Sequence, residues 1–462
     1  MSTVSPFRRR LLNSIKPKIP NYLCFTALES GTFTLTIDAN LSTSALQYIE
    51  YSLDGNAWVK TDNVNSQSVV ITTPTIANGG KVYWRGIGNQ LANSFSGNPS
   101  IFSSTCRFDA SGEVMSLLKG KNFTKSRNVG NSAFARLFKD CSTIVNAKDL
   151  IIEVGSIGSY GLQEMFINCT SLITTPYINN LNGALAFNAM FKGCTSLVEV
   201  TYDLPVPPTI SNRTYSSMFE GCTALVKTPN LPLTEFGDSA YYSMFRGCTS
   251  LVQAPLILPA TLLKSSCYAR MFYECKSLVN APSLPATSLT DKCYQNMFYG
   301  CTNLVNVPDI NVTSFTGNGQ MQAMFQQCTS LKKCPIKSLP ANVSNSSLSN
   351  TFRYCSELLD TPILPANTLN YESYYCLFDG CAKITYIKML ATDISASGAL
   401  AAWVRGVSAT GIFVKHIDAQ WTTTGNDGVP RNWTVIYYDP ALDKYYLDQQ
   451  RSQECDDHGN PI

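Results

Sequence analysis

Hydrophobic residues recur at fixed offsets through the middle of this chain. The block MFYECKSLVNAP, from Met271 to Pro282, recurs as MFYGCTNLVNVP from Met297 to Pro308 with four changes. A Phe three residues before a Cys, and a Leu or Ile three residues after it, occur together ten times at intervals of 25–28 residues. A repeat of this length predicts a solenoid, because each unit is too small to bury its apolar residues except against its neighbours.

Ten cysteines mark the repeat units. They are Cys141, Cys169, Cys194, Cys222, Cys248, Cys275, Cys301, Cys328, Cys355 and Cys381. Residues at fixed offsets stack on their own copies in a solenoid, so we expect the Cys, Phe and Leu positions to be interior and the variable positions to be exposed. A column of buried, reduced thiols is the main prediction, and disulfides or a metal site are the alternatives.

Each unit contains two short hydrophobic patterns. LVNAPSL (Leu278 to Leu284) lies between turn residues and suits one brief strand, whose copies would pair in parallel. In CYQNMFYGC (Cys293 to Cys301), Tyr294, Met297 and Phe298 are spaced as on one face of a helix, and Gly300 follows where a helix could end. The predicted coil is therefore strand, turn, short helix, turn.

The segment from residue 22 to 105 has a different pattern, rich in β-branched and aromatic residues. TFTLTI, LQYIEYSL, SVVITT and KVYWRGI predict strands and together a β-sandwich. SLDGNAW (Ser52 to Trp58) resembles the Asp-box hairpin of sialidases and other β-proteins. Trp58 and Trp84 are interpreted either as core aromatics of the sandwich or as platforms for sugar rings.

These patterns divide the chain into six segments. They are a basic N-terminal tail or docking segment (1–21), the β-sandwich (22–105), an N-terminal cap of the solenoid (106–136), ten leucine-rich repeats (137–395), a C-terminal cap with three of the five tryptophans (396–438) and a polar, extended C-terminal tail (439–462).

The repeat resembles the leucine-rich repeats of the BspA-like bacterial surface-antigen class, and across nearly the whole chain the pattern resembles such proteins encoded by gut bacteria and their phages. The resemblance implies an α/β solenoid with a parallel sheet and short helices, used for recognition and adhesion. Only 15% of residues are charged, which favours an extracellular or virion exterior. Asn13, Lys16 and Lys18 interrupt the apolar stretch that a Sec signal peptide needs, so we expect a virion protein of tail-fibre or head-fibre type, with the bacterial cell surface as the alternative.

The fifth position after each ladder cysteine is the candidate ligand face. It varies in charge and shape along the array: Asn146, Thr174, Glu199, Lys227, Gln253, Asn280, Asn306, Lys333, Asp360 and Tyr386. Two interpretations stay open: a solvated row between buried ones, or a surface that binds a glycan or protein of the host cell.

The sequence predicts no enzyme, no cofactor and no metal. The only histidines, His416 and His458, lie outside the array, which leaves no credible base for nucleophilic catalysis and no ligand quartet for zinc. Glycoside hydrolysis by paired carboxylates stays a minor alternative. We also expect no nucleic-acid partner and no membrane span.

We expect a homo-oligomer that contacts other virion or surface subunits, with residues 1–21 and 439–462 as candidate docking segments. A purely structural scaffold, whose repeats contact neighbouring subunits, is the alternative function.

Overall fold

The computed structural model describes residues 21–60, 69–93, 98–179, 187–206, 211–231, 233–235 and 237–462. Most of the predicted docking segment 1–21 therefore lies outside the described residues. The chain forms two compact units, one made of residues 1–232 and 247–251 and the other of residues 233–246 and 252–462. Each unit is described by itself.

The first unit contains ten described strands and one short α-helix. The strands are β1 (Leu23–Ala27), β2 (Phe33–Thr36), β3 (Leu46–Ser52), β4 (Val59–Lys60), β5 (Val70–Thr72), β6 (Lys81–Gly88), β7 (Ile101–Ser104), β8 (Phe108–Glu113), β9 (Ile144–Glu153) and β10 (Tyr177–Asn179), and helix α1 (Ser116–Lys119) is followed by a 3-10 turn (Gly120–Asn122). The four strands expected from the N-terminal pattern are confirmed as β2, β3, β5 and β6.

Two sheets form the N-terminal part of this unit. One has the strand order β10-β9-β8-β1-β6-β3-β4, and the other is β5-β2-β7. Phe25 of the first sheet lies 5.5 Å from Phe33 and 4.9 Å from Phe102 of the second, measured between ring centroids. Buried aromatic rings thus join the two sheets, while their classification as a β-sandwich domain stays a prediction.

The larger sheet continues directly into the repeats. Strand β8 pairs in parallel with β9, the strand after Cys141, and β9 pairs in parallel with β10 of the following coil. Phe102 also stacks on Phe138, the first phenylalanine of the repeats, at 5.5 Å. The N-terminal strands therefore cover the open end of the first coil, which would otherwise expose apolar side chains.

The second unit contains seven described strands. They are β11 (Ser288–Thr290), β12 (Ser314–Thr316), β13 (Tyr386–Met389), β14 (Ile412–His416), β15 (Thr434–Asp439), β16 (Lys444–Tyr446) and β17 (Glu454–Cys455). Strands β11 and β12 pair in parallel, and so do β13, β14 and β15. Elsewhere the coils are joined by isolated parallel bridges such as Gln253 with Asn280 and Asn280 with Asn306.

The C-terminal residues 439–462 are not an extended tail, so this part of the sequence prediction is wrong. Strands β16 and β17 extend the last sheet in antiparallel pairing. Cys455 is buried there against Val414 and Ile436. The polar composition of this segment hid the apolar residues with which it joins the sheet.

The short helix predicted for each coil is also wrong in the described residues, where consecutive tight turns take its place. From Ser266 to Cys275, every second backbone N–H donates to the next coil, as from Arg270 to Gln295 at 2.8 Å and from Phe272 to Met297 at 2.9 Å. The N–H groups between them donate to the carbonyl three residues earlier. In an α-helix all of these N–H groups would donate to carbonyls of the same helix. In the turns, half of them donate to the next coil instead.

A positive φ angle recurs every fourth residue in these turns. In one coil it falls on Ser266, Arg270 and Glu274, and in the next on Lys292, Asn296 and Gly300. Side chains four residues apart then point to the same side, which is close to the spacing of a helix face. Over nine residues the two patterns are indistinguishable, which explains the incorrect helix assignment.

Stacked phenylalanines form the centre of the repeats in each unit. In the first unit, Phe138, Phe166, Phe191 and Phe219 have centroid separations of 5.0–5.6 Å and nearly parallel rings. In the second, the column runs through Phe245, Phe272, Phe298, Phe325, Phe352 and Phe378 at 5.6–5.9 Å, and Trp403 follows at 6.2 Å. All of these side chains are buried.

The ladder cysteines lie beside the rings and hydrogen-bond between coils. In the second unit, Cys301 Sγ donates to the Phe272 carbonyl at 3.0 Å, and four equivalent bonds measure 2.9–3.1 Å. In the first unit, four such bonds measure 3.0–3.2 Å. All cysteines are free and buried, so the predicted reduced column is confirmed. Burial raises the pKa of Cys301 far above that of an exposed thiol, which keeps its proton available for donation.

Replacing one ladder thiol should weaken the array measurably. We expect Cys301→Ala to lower the free energy of unfolding by about 1–2 kcal/mol, because it removes a buried sulfur and leaves the Phe272 carbonyl with one donor fewer. The shift in the chemical denaturation midpoint measures this effect. Asn303→Ala, an exposed change two residues away, is the control. Equal midpoints for the two variants would contradict the role given to the thiol.

Candidate functional site

An exposed apolar row runs along the strand side of the coils, at the fourth position after the ladder cysteine. In the first unit it includes Val198, with half of its surface exposed, and Val226. In the second unit it includes Val252, Val279, Val305 and Leu359. One interpretation of the candidate ligand face had it lying between buried rows, and the exposure of these residues contradicts that part of it. The β-branched valines of this row could have indicated a strand but not which side of it faces solvent.

The predicted polar row lies next to this apolar row. Glu199 and Lys227 in the first unit, and Gln253, Asn280, Asn306, Lys333 and Asp360 in the second, are exposed. Asn146, Thr174 and Tyr386 are half-buried. The structure therefore confirms that most of the row is exposed, and it leaves the question of a ligand open.

Several members of the polar row hydrogen-bond within the fold. Asn306 donates its side-chain amide to the Asn280 oxygen at 2.8 Å. Thr174 Oγ1 lies 3.1 Å from the Asn146 side-chain oxygen. These bonds join successive coils, so these members of the row have a structural role whether or not they also bind a ligand.

Two charged members of the second-unit row have partners as well. The Asp360 carboxylate accepts the Cys334 backbone N–H at 2.7 Å. Lys333 lies 3.7 Å from the Asp309 carboxylate, which also holds Lys337 at 3.1 Å. These two lysines hold the pKa of Asp309 below its ordinary value. The charge of Lys333 is therefore partly compensated within the protein.

Glu199 and Lys227 differ from these residues. Neither forms an ion pair or a side-chain hydrogen bond with another described residue, although they occupy the same position on successive coils. Both line a cavity of about 280 Å³, together with Val198, Tyr202 and Asn230. The Tyr202 hydroxyl donates to the Lys148 carbonyl at 2.9 Å, which fixes one wall. This cavity brings both signs of charge and the exposed apolar row to one place, and we take it as the candidate binding site.

The two tryptophans proposed as sugar platforms have different environments. Trp84 is completely buried, and its ring lies 5.0 Å from Phe102 and 5.7 Å from Tyr51. It offers no face to a ligand, so the sugar-platform interpretation of Trp84 is wrong, and its interpretation as a core aromatic is confirmed. Trp58 is half-buried, with the Arg85 guanidinium 3.7 Å above its ring and Tyr22 packed at its edge.

The segment resembling an Asp-box forms a closed turn between β3 and β4. Asp54 Oδ1 accepts the backbone N–H groups of Asn56 and Ala57 at 2.8 Å and the Ser52 hydroxyl at 2.9 Å. These donors hold the pKa of Asp54 below its ordinary value. The aspartate thus stabilises the turn.

One group in the described chain has the residue types and spacing of a metal site. Asp456, Asp457 and His458 bring ligand atoms within 4.8 Å of one another near the C-terminus. Asp456 already accepts the side-chain amide of Asn460 at 2.8 Å, and the group is mostly exposed. The absence of a metal therefore stays a prediction. No described helix has the length and apolar character to cross a bilayer.

Comparison with known proteins identifies the repeats. Residues 124–251, 241–318 and 265–397 match the model of the BspA type leucine rich repeat region, with six copies. The matches extend over more than half of the chain, so the chain belongs to this family. The recognition of a BspA-like protein from its sequence is confirmed.

Similarity to individual proteins is weaker. The crystal structure of the T. pallidum leucine rich repeat protein matches with 18% identity and a TM-score of 0.25, and the match covers 50% of this chain and 82% of that chain. No curated protein matches the chain.

Substitutions in the polar row can distinguish side chains that stabilise the fold from side chains that have no partner in it. We expect Lys227→Ala and Glu199→Ala each to change the free energy of unfolding by less than about 0.5 kcal/mol, because neither side chain has a partner among the described residues. Asp360→Ala should lower it by about 1 kcal/mol or more, because it removes the acceptor of the Cys334 N–H. Denaturant titration of the three variants measures this contrast, and a large loss for Lys227→Ala would show that Lys227 has a structural role.

Proposed function

We propose that this chain is a non-enzymatic recognition protein that binds a glycan or protein on the surface of a host cell. The ligand contacts the strand side of the coils, with the cavity at Glu199 and Lys227 as the central contact. The observation that carries the proposal is the presence there of two uncompensated charges beside exposed valines. Among the described residues, these charged side chains make no polar contact that stabilises the fold, so they are available to a ligand.

The two adjacent rows suit a large, extended ligand. Val198 and Val226 supply apolar contact area in the first unit, while Glu199, Lys227 and Asn230 supply charge and hydrogen-bonding groups. Interfaces commonly combine an apolar centre with polar groups that fix orientation. Because the rows repeat from coil to coil, one ligand chain can contact several repeats within a unit.

The location of the protein is part of the proposal. Resemblance to phage-encoded leucine-rich-repeat proteins favours a virion protein of tail-fibre or head-fibre type, with the bacterial cell surface as the alternative. Several copies on one particle would amplify weak individual binding. Residues 1–21 and 439–462 are proposed contacts to other subunits, and a homo-oligomer fits this arrangement.

Binding of fluorescently labelled protein to intact gut bacteria and to an array of bacterial surface glycans tests the proposal. We expect the wild-type chain to bind at least one species or glycan. The double variant Glu199→Gln, Lys227→Ala should weaken that binding tenfold or more, and Val226→Ser should weaken it further.

Lys276→Ala is the matched control, because Lys276 is an exposed lysine that lies on neither row. It should bind like the wild type. Absence of binding to every cell and glycan, or unchanged binding by the double variant, would contradict the proposed site. An electron-microscopy map of the particle with this surface buried against another subunit would favour the structural scaffold instead.

A further inference from the structure

A second cavity lies at the C-terminal sheet of the second unit, far along the chain from the coils that carry Glu199 and Lys227. Its volume is about 670 Å³, within the usual range for small-ligand sites. Strands β14 and β15 and the segment between them line it, with Lys415, Trp421, Arg431, Asn432, Trp433 and Tyr437 among the lining residues. Lys415 and Tyr437 are paired across the two parallel strands, so the register places them side by side.

Lys415 is a buried cation without an anionic partner among the described residues. Only 6% of its surface is exposed. Its Nζ donates to the Trp421 carbonyl and lies 4.3 Å from the centre of the Trp421 ring. An ammonium group has three donors, so the hydrogen bond to the Trp421 carbonyl and the contact with its ring still leave a donor for a ligand in the cavity. Burying a charge is unfavourable unless it is paired.

The neighbouring Lys388 is also a buried lysine, but its surroundings differ from those of Lys415. It lies on β13 of the same sheet and donates to the Tyr445 hydroxyl at 2.8 Å. Asp443 and Asp457 lie near enough to raise its pKa, although burial outweighs them and lowers it. The pKa of Lys415 is lowered by burial with no opposing carboxylate. Lys388 therefore has two carboxylates in its surroundings, whereas no described carboxylate acts on Lys415.

Other groups in the cavity also lack partners. Arg431 is exposed at the rim and forms no ion pair with a described residue, and the Tyr437 hydroxyl has no hydrogen-bond partner there. Asp427 lines an adjoining cavity of about 580 Å³ instead, and its Oδ1 accepts the Ala402 backbone N–H at 2.6 Å. The two cavities share Arg431 and Asn432 as lining residues, so a ligand bound at these side chains borders both cavities.

We infer that this cavity binds an acidic saccharide, with Lys415 and Arg431 holding a carboxylate of the sugar. The half-buried indole of Trp421 gives an apolar surface for the C–H side of a sugar ring. The Tyr437 hydroxyl and the Asn432 amide provide hydrogen bonds to ring hydroxyls. An acidic peptide would also satisfy the two cations, and the comparison with tetraglutamate separates it from a saccharide. This inference does not depend on the function proposed for the strand rows.

Isothermal titration of the full chain with trigalacturonate and with sialyllactose tests the inference. We expect at least one of them to bind. The fully methyl-esterified trigalacturonate keeps the rings and lacks the charges, so it should bind at least tenfold more weakly than trigalacturonate. Tetraglutamate should likewise bind at least tenfold more weakly than the preferred saccharide.

Variants then assign the site. Lys415→Met should weaken binding at least tenfold, while Lys388→Met, a matched loss of a buried lysine outside the cavity, should change it less than twofold. Thermal unfolding checks that both variants fold. If Lys415→Met does not fold, Arg431→Gln and Tyr437→Phe at the cavity should still weaken binding severalfold in a folded protein.

Four results would overturn the inference: no binding of either acidic saccharide, equal binding of the methyl ester, tighter binding of tetraglutamate, or unchanged binding by the folded cavity variants. The double variant Glu199→Gln, Lys227→Ala should bind the acidic saccharide like the wild type. Failure of the proposed strand-side function is thereby distinguishable from failure of this site.

Discussion

Nine of the ten ladder thiols donate a hydrogen bond to the carbonyl of a phenylalanine one coil earlier, and the stacking of the repeats depends on this contact. A single coil has too few apolar residues to fold alone, so its stability depends on its neighbours. The thiol is small enough to leave room for the stacked rings and still donates to a carbonyl that would otherwise have one partner fewer. In the second unit, Cys301 and Phe272 show this arrangement at 3.0 Å. A larger residue at the cysteine position would separate the rings, and a charged one would be buried without a partner.

Much of this arrangement was predictable from the sequence. The fixed offsets of Cys, Phe and Leu indicated an interior column because only stacked positions must keep their size and polarity. The four N-terminal strands were also predictable, since their β-branched and aromatic residues lie between turn signals. The turns around Arg270 and Glu274 were not, because a spacing of four residues resembles a helix over so short a segment. The fold of residues 439–462 was missed because two short strands carry few apolar residues.

The candidate sites were only partly predictable. The sequence identified the fifth-position row, including Glu199 and Lys227, from its variation along the array. It could not show that Asn280 and Asn306 hydrogen-bond to each other while Glu199 and Lys227 have no partner among the described residues. Nor could it place Val198 on the surface, or bring Lys415 and Arg431 to one cavity, because these relations depend on how distant segments pack. Trp84 shows the converse, since a residue type suited to sugar binding is here part of the core.

Both sites follow one physical rule. The repeats pair many of their backbone groups from coil to coil, and polar side chains without partners that also reach a cavity or the surface are the ones available to a ligand. The rule depends on the interior column being dry and regular. If the column were irregular, the spacing of the exposed rows would be irregular too, and the rows would not form a continuous surface.

The S–H stretching band in the Raman spectrum of the folded protein tests the column most directly, because its position reports whether a thiol donates a hydrogen bond. The account predicts that most of the thiol intensity lies at lower frequency than that of a free cysteine in water, and that Cys301→Ala removes intensity from the shifted band. A band at the free-thiol position, or its loss through disulfide formation, would contradict it.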